Sequence, residues 1–313
     1  MLGIYSIIRG MTADRVKFGW LLLAGIFMGL CVGSRSTYII AVAFITVVVG
    51  VVLLRESKNF IAIFSYSFPL ALIGAGLAWF NYARFGSILE TGLSYQLTGD
   101  VLPDNLSQLF SLRYIIPNAY SSLIRPFQFI SSRFPFVFTP YIRDNMWPNI
   151  IHRPPLYSSG EPVTGILLSI PFLWVLALPL VSVGKEALAW INEIPHKISS
   201  QDQSKFLTWL WILLIGTAIL QTVATVSFIM TTMRYLADFA PLWILLAGIV
   251  CWNSHEKLTY RPGWRRMLLL LTLALCLVTI VFGLLTNFQN GDKRFQTNNP
   301  ALFSALANFF TNK

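Results

Sequence analysis

The cations of one long polar segment are all arginines. Residues 81–162 interrupt the apolar pattern of the chain and contain no lysine, but they carry Arg84, Arg113, Arg125, Arg133, Arg143 and Arg153. A guanidinium grips phosphate or carboxylate through two parallel hydrogen bonds, whereas a lysine ammonium acts as a point charge. The segment therefore predicts binding of an anionic, phosphate-bearing ligand. Ordinary surface charges or lipid-headgroup anchors are the alternative interpretation.

Three charged residues lie at the ends of predicted membrane helices. Arg234 and Asp238 are one helical turn apart, where their side chains can pair. Ionisable residues at membrane depth are costly and usually face a cavity or a partner. One hypothesis is that Arg234 binds an anionic headgroup, which Asp238 orients; the other is an ion pair that caps a short span. Arg35, in a turn of small residues, could join Arg234 above a common cavity or serve as a snorkelling anchor.

Four further candidates lie in the long polar segment. Arg153 and Glu161 precede the next apolar stretch and are expected near the membrane surface. Glu161 could act as a base or orient a hydroxyl, but it could equally be a helix-start acid that stabilises the macrodipole. Residues 81–99 combine tyrosine, glutamine, asparagine and glutamate with aromatic side chains, a mixture typical of sugar sites. They make Glu90 and Tyr95 candidates for contact with a sugar or an acceptor.

The composition predicts a membrane protein. The chain is 55% hydrophobic and 12% charged, whereas soluble domains average about 25% charged residues. Charge-poor windows close to the roughly 20 residues that cross a bilayer predict spans near 18–34, 36–54, 60–80, 163–183, 207–230, 235–252 and 267–287. The predicted fold is an all-α, polytopic transmembrane helical bundle of about seven spans with one long extracytoplasmic loop containing short helices. Its divisions are 1–80, 81–162, 163–288 and an extracytoplasmic tail, 289–313.

The distribution of cations predicts the orientation. With the N-terminus in the cytoplasm, most short-loop cations lie there and only Arg35 and Arg234 occupy the opposite short turns, which is a positive-inside asymmetry. We therefore expect a multi-pass protein of the cell (inner) membrane with the long loop outside. The net charge of +10 fits this orientation and contact with anionic membrane lipid. It does not indicate nucleic acid, because the cations do not gather in one soluble patch.

Local patterns predict packing details. Gly25, Gly29 and Gly33 recur at every fourth residue and form a small-residue face for close helix contact. Residues 118–132 have the pattern of an amphipathic helix interrupted near Pro126. The aromatic run 134–141 is punctuated by prolines and suits the membrane interface. Cysteines and histidines lack paired spacing, so no metal site is recognisable.

The apolar residues at the start of the sequence predict either part of a longer membrane helix or a short interfacial helix. Leu2–Ile8 is apolar but too short to span a bilayer, and Arg9 and Arg15 follow the apolar run, unlike in a signal peptide. We expect either the cytoplasmic end of a helix whose outer part lies in a missing N-terminal half, or a short interfacial helix.

Four motifs carry a resemblance to a known family. They are the Gly-Leu-Cys-Val-Gly-Ser-Arg turn at 29–35, the segment 81–99 after a span, Glu161-Pro162 at the next span, and the run 233–241. Together they resemble the later transmembrane half of bacterial GT-C-type glycosyltransferases, which are similar to dolichyl-phosphate-mannose mannosyltransferases and use lipid-phosphate-linked sugars. The resemblance covers most of residues 10–255.

The resemblance implies inverting sugar transfer from a polyprenyl-phosphate donor on the outer face of the membrane. Three arginines would bind the leaving phosphate: Arg35, Arg153 and Arg234. The acceptor or sugar would be handled by Glu90, Tyr95 and Glu161. In that family the catalytic acid lies in the first outer loop, and nothing before Gly10 matches it. We therefore expect the activity to require the missing half as a partner, and the resemblance leaves a divalent metal in the complete enzyme open. The competing hypothesis is a non-catalytic membrane protein (a transporter, lipid-binding or assembly subunit) or an inactive remnant.

Overall fold

The protein is almost entirely helical. The computed structural model describes residues 1–11, 17–57, 60–92, 95, 106–139, 148, 150–152, 154, 157, 162–181, 201–289 and 294–311. In chain order, the helices are α1 (Leu2–Met11), α2 (Phe18–Ser34), α3 (Tyr38–Val52), α4 (Phe60–Phe85), α5 (Leu106–Leu109), α6 (Ile115–Ala119), α7 (Ile166–Ser169), α8 (Leu178–Val181), α9 (Gln201–Val226), α10 (Met233–Lys257), α11 (Pro262–Gln289), α12 (Arg294–Asn298) and α13 (Pro300–Thr311). The prediction of an all-α fold is confirmed.

Within the described residues, five helical segments are long and apolar enough to cross a membrane: Tyr38–Arg55, Phe60–Phe85, Thr208–Val226, Met233–Tyr260 and Pro262–Phe288. They coincide with five of the seven predicted spans. The first predicted span, 18–34, is the 17-residue apolar helix α2. Helices of this length and composition are typical of a membrane protein, which agrees with the low fraction of charged residues in the sequence.

The fourth predicted span differs from the prediction of one continuous helix. Within the described part of residues 163–183, the chain forms the short helix α7, a 3-10 helix over Pro171–Ala177, and then α8. Ile170 leaves the helical region at φ −128°, ψ 70°. The cause is Pro171, since a proline disfavours helical backbone in the preceding residue and supplies no N–H.

The residues form two compact units, described separately below. Unit 1 comprises Met1–Leu106 with Asp202–Ala224, and unit 2 comprises Ser107–Gln201 with Thr225–Lys313. In unit 1, the glycine face predicted on α2 packs against α4. A Cβ at Gly25 would collide with the Tyr66 carbonyl, and one at Gly29 would lie 2.9 Å from the Ile73 Cβ. A step from Gly25 to Gly29 on α2 corresponds to a step from Tyr66 to Ile73 on α4. The two helices therefore run parallel and end on the same side of unit 1.

The described part of the long polar segment contains short helices, as predicted. α5 is followed by a 3-10 turn over Leu112–Tyr114, by α6, and by a π-helical turn over Tyr120–Ile124. The helix predicted for residues 118–132 does not resume after Pro126. Instead, Gln128–Phe129 (β1) pairs antiparallel with Val137–Phe138 (β2). Arg125 takes an extended ψ of 127° because the following residue is a proline.

Unit 2 has an apolar core between α10 and the broken fourth span. Val163, Ile166 and Leu173 pack with residues of α10, among them Leu236 and Phe239. Burial of large apolar side chains contributes roughly 1.5–3 kcal/mol each to stability. This core fixes the first turns of α10 against the chain that leads into α7.

Candidate functional site

A group of buried polar residues lies where the helical stretch 115–124 meets the chain between α9 and α10. We call it the buried polar cluster, and its members are Asn118, Ser121, Ser122, Arg125, Thr231 and Thr232. All belong to unit 2. Buried polar groups usually mark a structural network or a binding site, because each must find a partner to offset its lost hydration.

Asn118 joins the two halves of the cluster. Its Nδ2 donates hydrogen bonds to the carbonyls of Val226, at 2.9 Å, and Phe228. Its Oδ1 accepts a bond of 2.7 Å from the Tyr157 hydroxyl. A helix leaves its last carbonyls without intrahelical partners, and Val226 is the last residue of α9. Asn118 therefore satisfies this helix end and positions the segment that follows it.

Backbone pairing holds the same segment in place. Ser111 N donates to Ser227 O at 2.9 Å, and Ile229 N donates to Leu109 O at 2.8 Å. One step further along, the Ser122 Oγ and Thr231 Oγ1 atoms are 3.0 Å apart and share a hydrogen bond. Ser121 and Thr232, each next to one member of this hydrogen-bonded pair, are also buried.

Two hydroxyls of the cluster have no hydrogen-bond partner within the described residues: Ser121 Oγ and Thr232 Oγ1. Ser121 is 0% exposed and Thr232 is 2% exposed. Thr232 is the N-cap of α10, with φ −142° and ψ 159°, but its side chain makes no capping bond. A threonine at this position normally accepts a bond from the first turn of the helix. This hydroxyl is instead buried, with no partner among the described residues, at the positive end of a 25-residue helix.

Arg125 is the buried cation of the cluster, with 3% of its surface exposed. Its carbonyl accepts hydrogen bonds from Gly165 N at 2.8 Å and Thr164 Oγ1 at 3.0 Å. Gly165 is required there, since a Cβ would strike the backbone of Leu123 and Ile124. These contacts fix the backbone of Arg125 between the π-helical turn and the start of α7.

Burial lowers the pKa of the Arg125 guanidinium, and the nearby Tyr120 and Tyr157 phenols oppose the shift. A guanidinium is so strongly basic that it keeps its charge at neutral pH. Charge interactions strengthen where water is excluded. The cluster therefore combines hydroxyl donors, a desolvated guanidinium and a helix N-terminus, which is a chemistry suited to phosphate or another anion.

Two predicted site residues, Arg234 and Asp238, lie in the first turns of α10, directly after the cluster. Arg234 is exposed and is the second residue of the helix. Asp238 is buried, with 4% of its surface exposed. Their pairing at one helical turn, and their contact with a headgroup, stay predictions.

Arg35, Glu90 and Tyr95 belong to unit 1 and lie at one end of it, since Arg35 caps α2 and the other two follow α4. The Glu90 carboxylate accepts a bond of 2.7 Å from Gly92 N, and Gly92 has φ +88°, which favours glycine. Tyr95 stacks on Phe85 with ring centroids 5.2 Å apart. These contacts make a compact turn at the end of α4. A shared site for Arg35 and Arg234 stays a prediction.

The other two predicted residues, Arg153 and Glu161, lie outside the described residues. Among the residues that the structure does describe, no three histidine, cysteine or acidic side chains form a metal-binding group. No step of the chemistry discussed below is assigned to a metal.

Sequence reasoning missed most of the cluster. The sequence predicts Arg125 as one of the arginines that could bind an anion, but it does not predict a site role for Asn118 or for the hydroxyl residues. A weak signal was present, because two adjacent hydroxyl pairs, Ser121-Ser122 and Thr231-Thr232, occur in otherwise apolar surroundings. Only the tertiary contact between residues 122 and 231 turns these pairs into one buried group.

No protein-family model, curated protein or solved structure matches this chain.

Proposed function

We propose that this chain is, or forms the C-terminal portion of, an integral membrane glycosyltransferase that uses a polyprenyl-phosphate-linked sugar on the outer face of the membrane. In this proposal, the buried polar cluster binds the phosphate of the donor. The observation that carries it is that two hydroxyls, Ser121 Oγ and Thr232 Oγ1, are buried with no hydrogen-bond partner among the described residues, in the same unit as the buried Arg125, and that Thr232 is the N-cap of α10.

The depth of the cluster supports a lipid-linked phosphate. α10 belongs to the apolar segment Met233–Tyr260, which is long enough to cross a membrane. Its first residue then lies at a membrane surface, and so does Thr232 immediately before it. The phosphate of a polyprenyl carrier occupies the same depth, with its hydrocarbon tail in the bilayer.

The chemistry of transfer supports the same assignment. When a sugar leaves a polyprenyl phosphate, negative charge develops on the departing phosphate oxygens. Donors that are fixed before the reaction stabilise this charge without reorganising. Arg125 and the two hydroxyls are fixed by burial, and Arg234 can reach the same anion from the surface. Glu90 and Glu161 remain the candidate acids for the acceptor or sugar, and Tyr95 and Arg35 remain candidates for contact with donor or acceptor.

A second candidate is a lipid-binding subunit without catalysis. It is favoured by the composition of the cluster, whose six members are neutral or positively charged and offer no general base. It is also favoured by Glu90, whose carboxylate is held in a local turn by Gly92. This candidate shares phosphate binding with the first and differs only in the absence of sugar transfer.

One experiment separates the two candidates. The full chain, reconstituted in nanodiscs, is given a polyprenyl-phosphate hexose radiolabelled in the sugar, together with a membrane extract as the source of acceptor. Transfer of the labelled sugar to an acceptor, with release of polyprenyl phosphate, is measured beside binding of polyprenyl monophosphate. Binding with release supports the transferase, and binding without release supports the subunit. Absence of both contradicts both. In an active preparation, Arg234→Ala is expected to abolish transfer with membrane insertion unchanged; undiminished transfer would remove Arg234 from the mechanism.

A further inference from the structure

Aromatic rings connect three separate parts of unit 2 into one group. We call it the aromatic cluster, and its members are Phe134, Phe136, Phe288, Phe303 and Phe310. Phe134 is the central ring, with centroid distances of 5.3 Å to Phe288, 5.5 Å to Phe303 and 5.7 Å to Phe310. The last of these pairs is stacked, with an angle of 2° between the ring planes. The cluster attaches α13 to the end of α11 and to the β1–β2 hairpin.

The side chains of α13 fall on three faces. Phe303, Leu306 and Phe310 share the face toward the aromatic cluster, and each of the other two faces is exposed. One exposed face is apolar and contains Leu302, Ala305 and Phe309; Phe309 is 75% exposed. The other exposed face is small and polar and contains Ala301, Ser304 and Asn308. Two of the three faces of α13 are therefore apolar, whereas only one of them contacts the aromatic cluster.

The attachment to α11 determines the depth of α13. Phe288 is the last residue of the segment Pro262–Phe288, which is long enough to cross a membrane. A ring at this position lies at a membrane surface, and the rings that contact it lie there too. α13 has 12 residues, so its length of about 18 Å is too short for the ~30 Å hydrocarbon core. It also has no charged residue.

We propose that α13 lies in the plane of the membrane surface, with Leu302, Ala305 and Phe309 inserted at the boundary between headgroups and acyl chains. The occupant of this exposed face is lipid, because the face continues the surface of a membrane helix through Phe288 and the aromatic cluster. An amphipathic helix with large apolar side chains binds this boundary through buried apolar area. Since α13 lacks cations, its insertion does not depend on anionic lipid.

Site-directed spin labelling tests this arrangement. The full chain, with its three cysteines replaced by alanine, receives a single label at Phe309→Cys or at the adjacent polar position Asn308→Cys. Both sites are exposed. The Phe309 ring contacts Phe310 edge to face, at a centroid distance of 5.1 Å, but none of the described ring contacts joins it to Phe134. The protein is placed in nanodiscs of phosphatidylcholine, with or without phosphatidylglycerol, and collision rates with oxygen and with a water-soluble nickel chelate are measured.

The expected ratio of oxygen to nickel collisions is several-fold higher at position 309 than at position 308, and it is the same in both lipid mixtures. Equal nickel accessibility at the two positions would overturn the proposal, because α13 would then lie in water. Protection of position 309 from both reagents would also overturn it, since protein rather than lipid would cover the face.

Discussion

Replacement of Thr232 by valine is expected to stabilise the protein and to weaken its binding of lipid phosphate. Valine keeps the shape of threonine and removes the Oγ1 atom, which is buried and has no hydrogen-bond partner in the described part of the chain. A buried hydroxyl without a partner costs about 1–3 kcal/mol. The usual loss on removing an N-cap, about 1 kcal/mol, does not apply because the Thr232 side chain makes no capping bond. The free energy of unfolding should therefore rise by about 1 kcal/mol.

The effect on binding has the opposite sign. In the proposed complex, the Thr232 hydroxyl donates to a charged phosphate oxygen, and hydrogen bonds to charged groups contribute about 1.5–3 kcal/mol. Loss of this bond should raise the dissociation constant for polyprenyl monophosphate about 10- to 150-fold. Denaturant unfolding in detergent micelles measures the first quantity, and fluorescence titration with the lipid measures the second.

Thr231→Val is the matched control for stability. Its hydroxyl shares a 3.0 Å hydrogen bond with Ser122, so its removal leaves Ser122 without this partner and should lower the free energy of unfolding by about 1 kcal/mol. Opposite signs for two adjacent, chemically identical substitutions would be hard to obtain by accident. If Thr232→Val is as destabilising as Thr231→Val, or if it leaves lipid binding unchanged, the reasoning about the cluster is refuted.

Three further predictions follow from the geometry. Gly25→Val should destabilise the fold by 2 kcal/mol or more, at about the level of an overpacked core, since its Cβ would meet the Tyr66 carbonyl; Gly19→Ala on the same helix, where a Cβ meets nothing within 4 Å, should be neutral in thermal unfolding. Arg125→Lys should make phosphate binding fall at high pH: burial lowers the pKa of an amine, so binding should be lost as the pH rises above about 7. Wild-type binding should not weaken between about pH 7 and 9, because the arginine stays charged and a phosphate monoester is already mostly doubly ionised above its second pKa of about 6. Asn118→Ala should lower the free energy of unfolding by about 2–4 kcal/mol, because it leaves two carbonyls and one phenol without their buried partner; unchanged denaturation midpoints would contradict its bridging role.

The helical membrane architecture followed from composition and from the lengths of apolar windows, and the structure has helices at five of the predicted spans. The glycine face on α2 was also predictable, because close packing of membrane helices depends on small residues at a fixed spacing. Here the periodicity of the sequence directly encodes the contact.

The fourth span could not be predicted in the same way. Its apolar content satisfies the length criterion, but Pro171 changes the backbone at Ile170 and divides the segment into short helical pieces. Hydrophobicity reports where a segment prefers to lie, whereas proline decides whether the backbone can remain helical. The same effect at Pro126 replaced a predicted helix by the β1–β2 hairpin.

The buried polar cluster could not be predicted from the sequence, because its two halves, residues 118–125 and residues 231–232, are more than 100 residues apart in the chain. A charged residue in a membrane helix indicates a site by itself, because its burial in the bilayer is costly. Arg234 and Asp238 are therefore predictable from the sequence as candidates. Serine and threonine are ordinary in membrane helices and signal nothing by themselves. Ser121 and Thr232 become candidates because they are buried and their hydroxyls have no hydrogen-bond partner among the described residues. Both properties depend on the tertiary structure.

In the proposed function, the cluster recognises a phosphate carried by a lipid. The most direct measurement compares binding of polyprenyl monophosphate with binding of the corresponding polyprenol, by native mass spectrometry of the full chain and of a Ser121→Ala, Thr232→Val double variant. The account predicts that the wild-type protein retains the phosphate lipid in preference to the alcohol and that the double variant, although folded, loses this preference. Equal retention of both lipids by the wild-type protein, or an unchanged preference in the double variant, would contradict it.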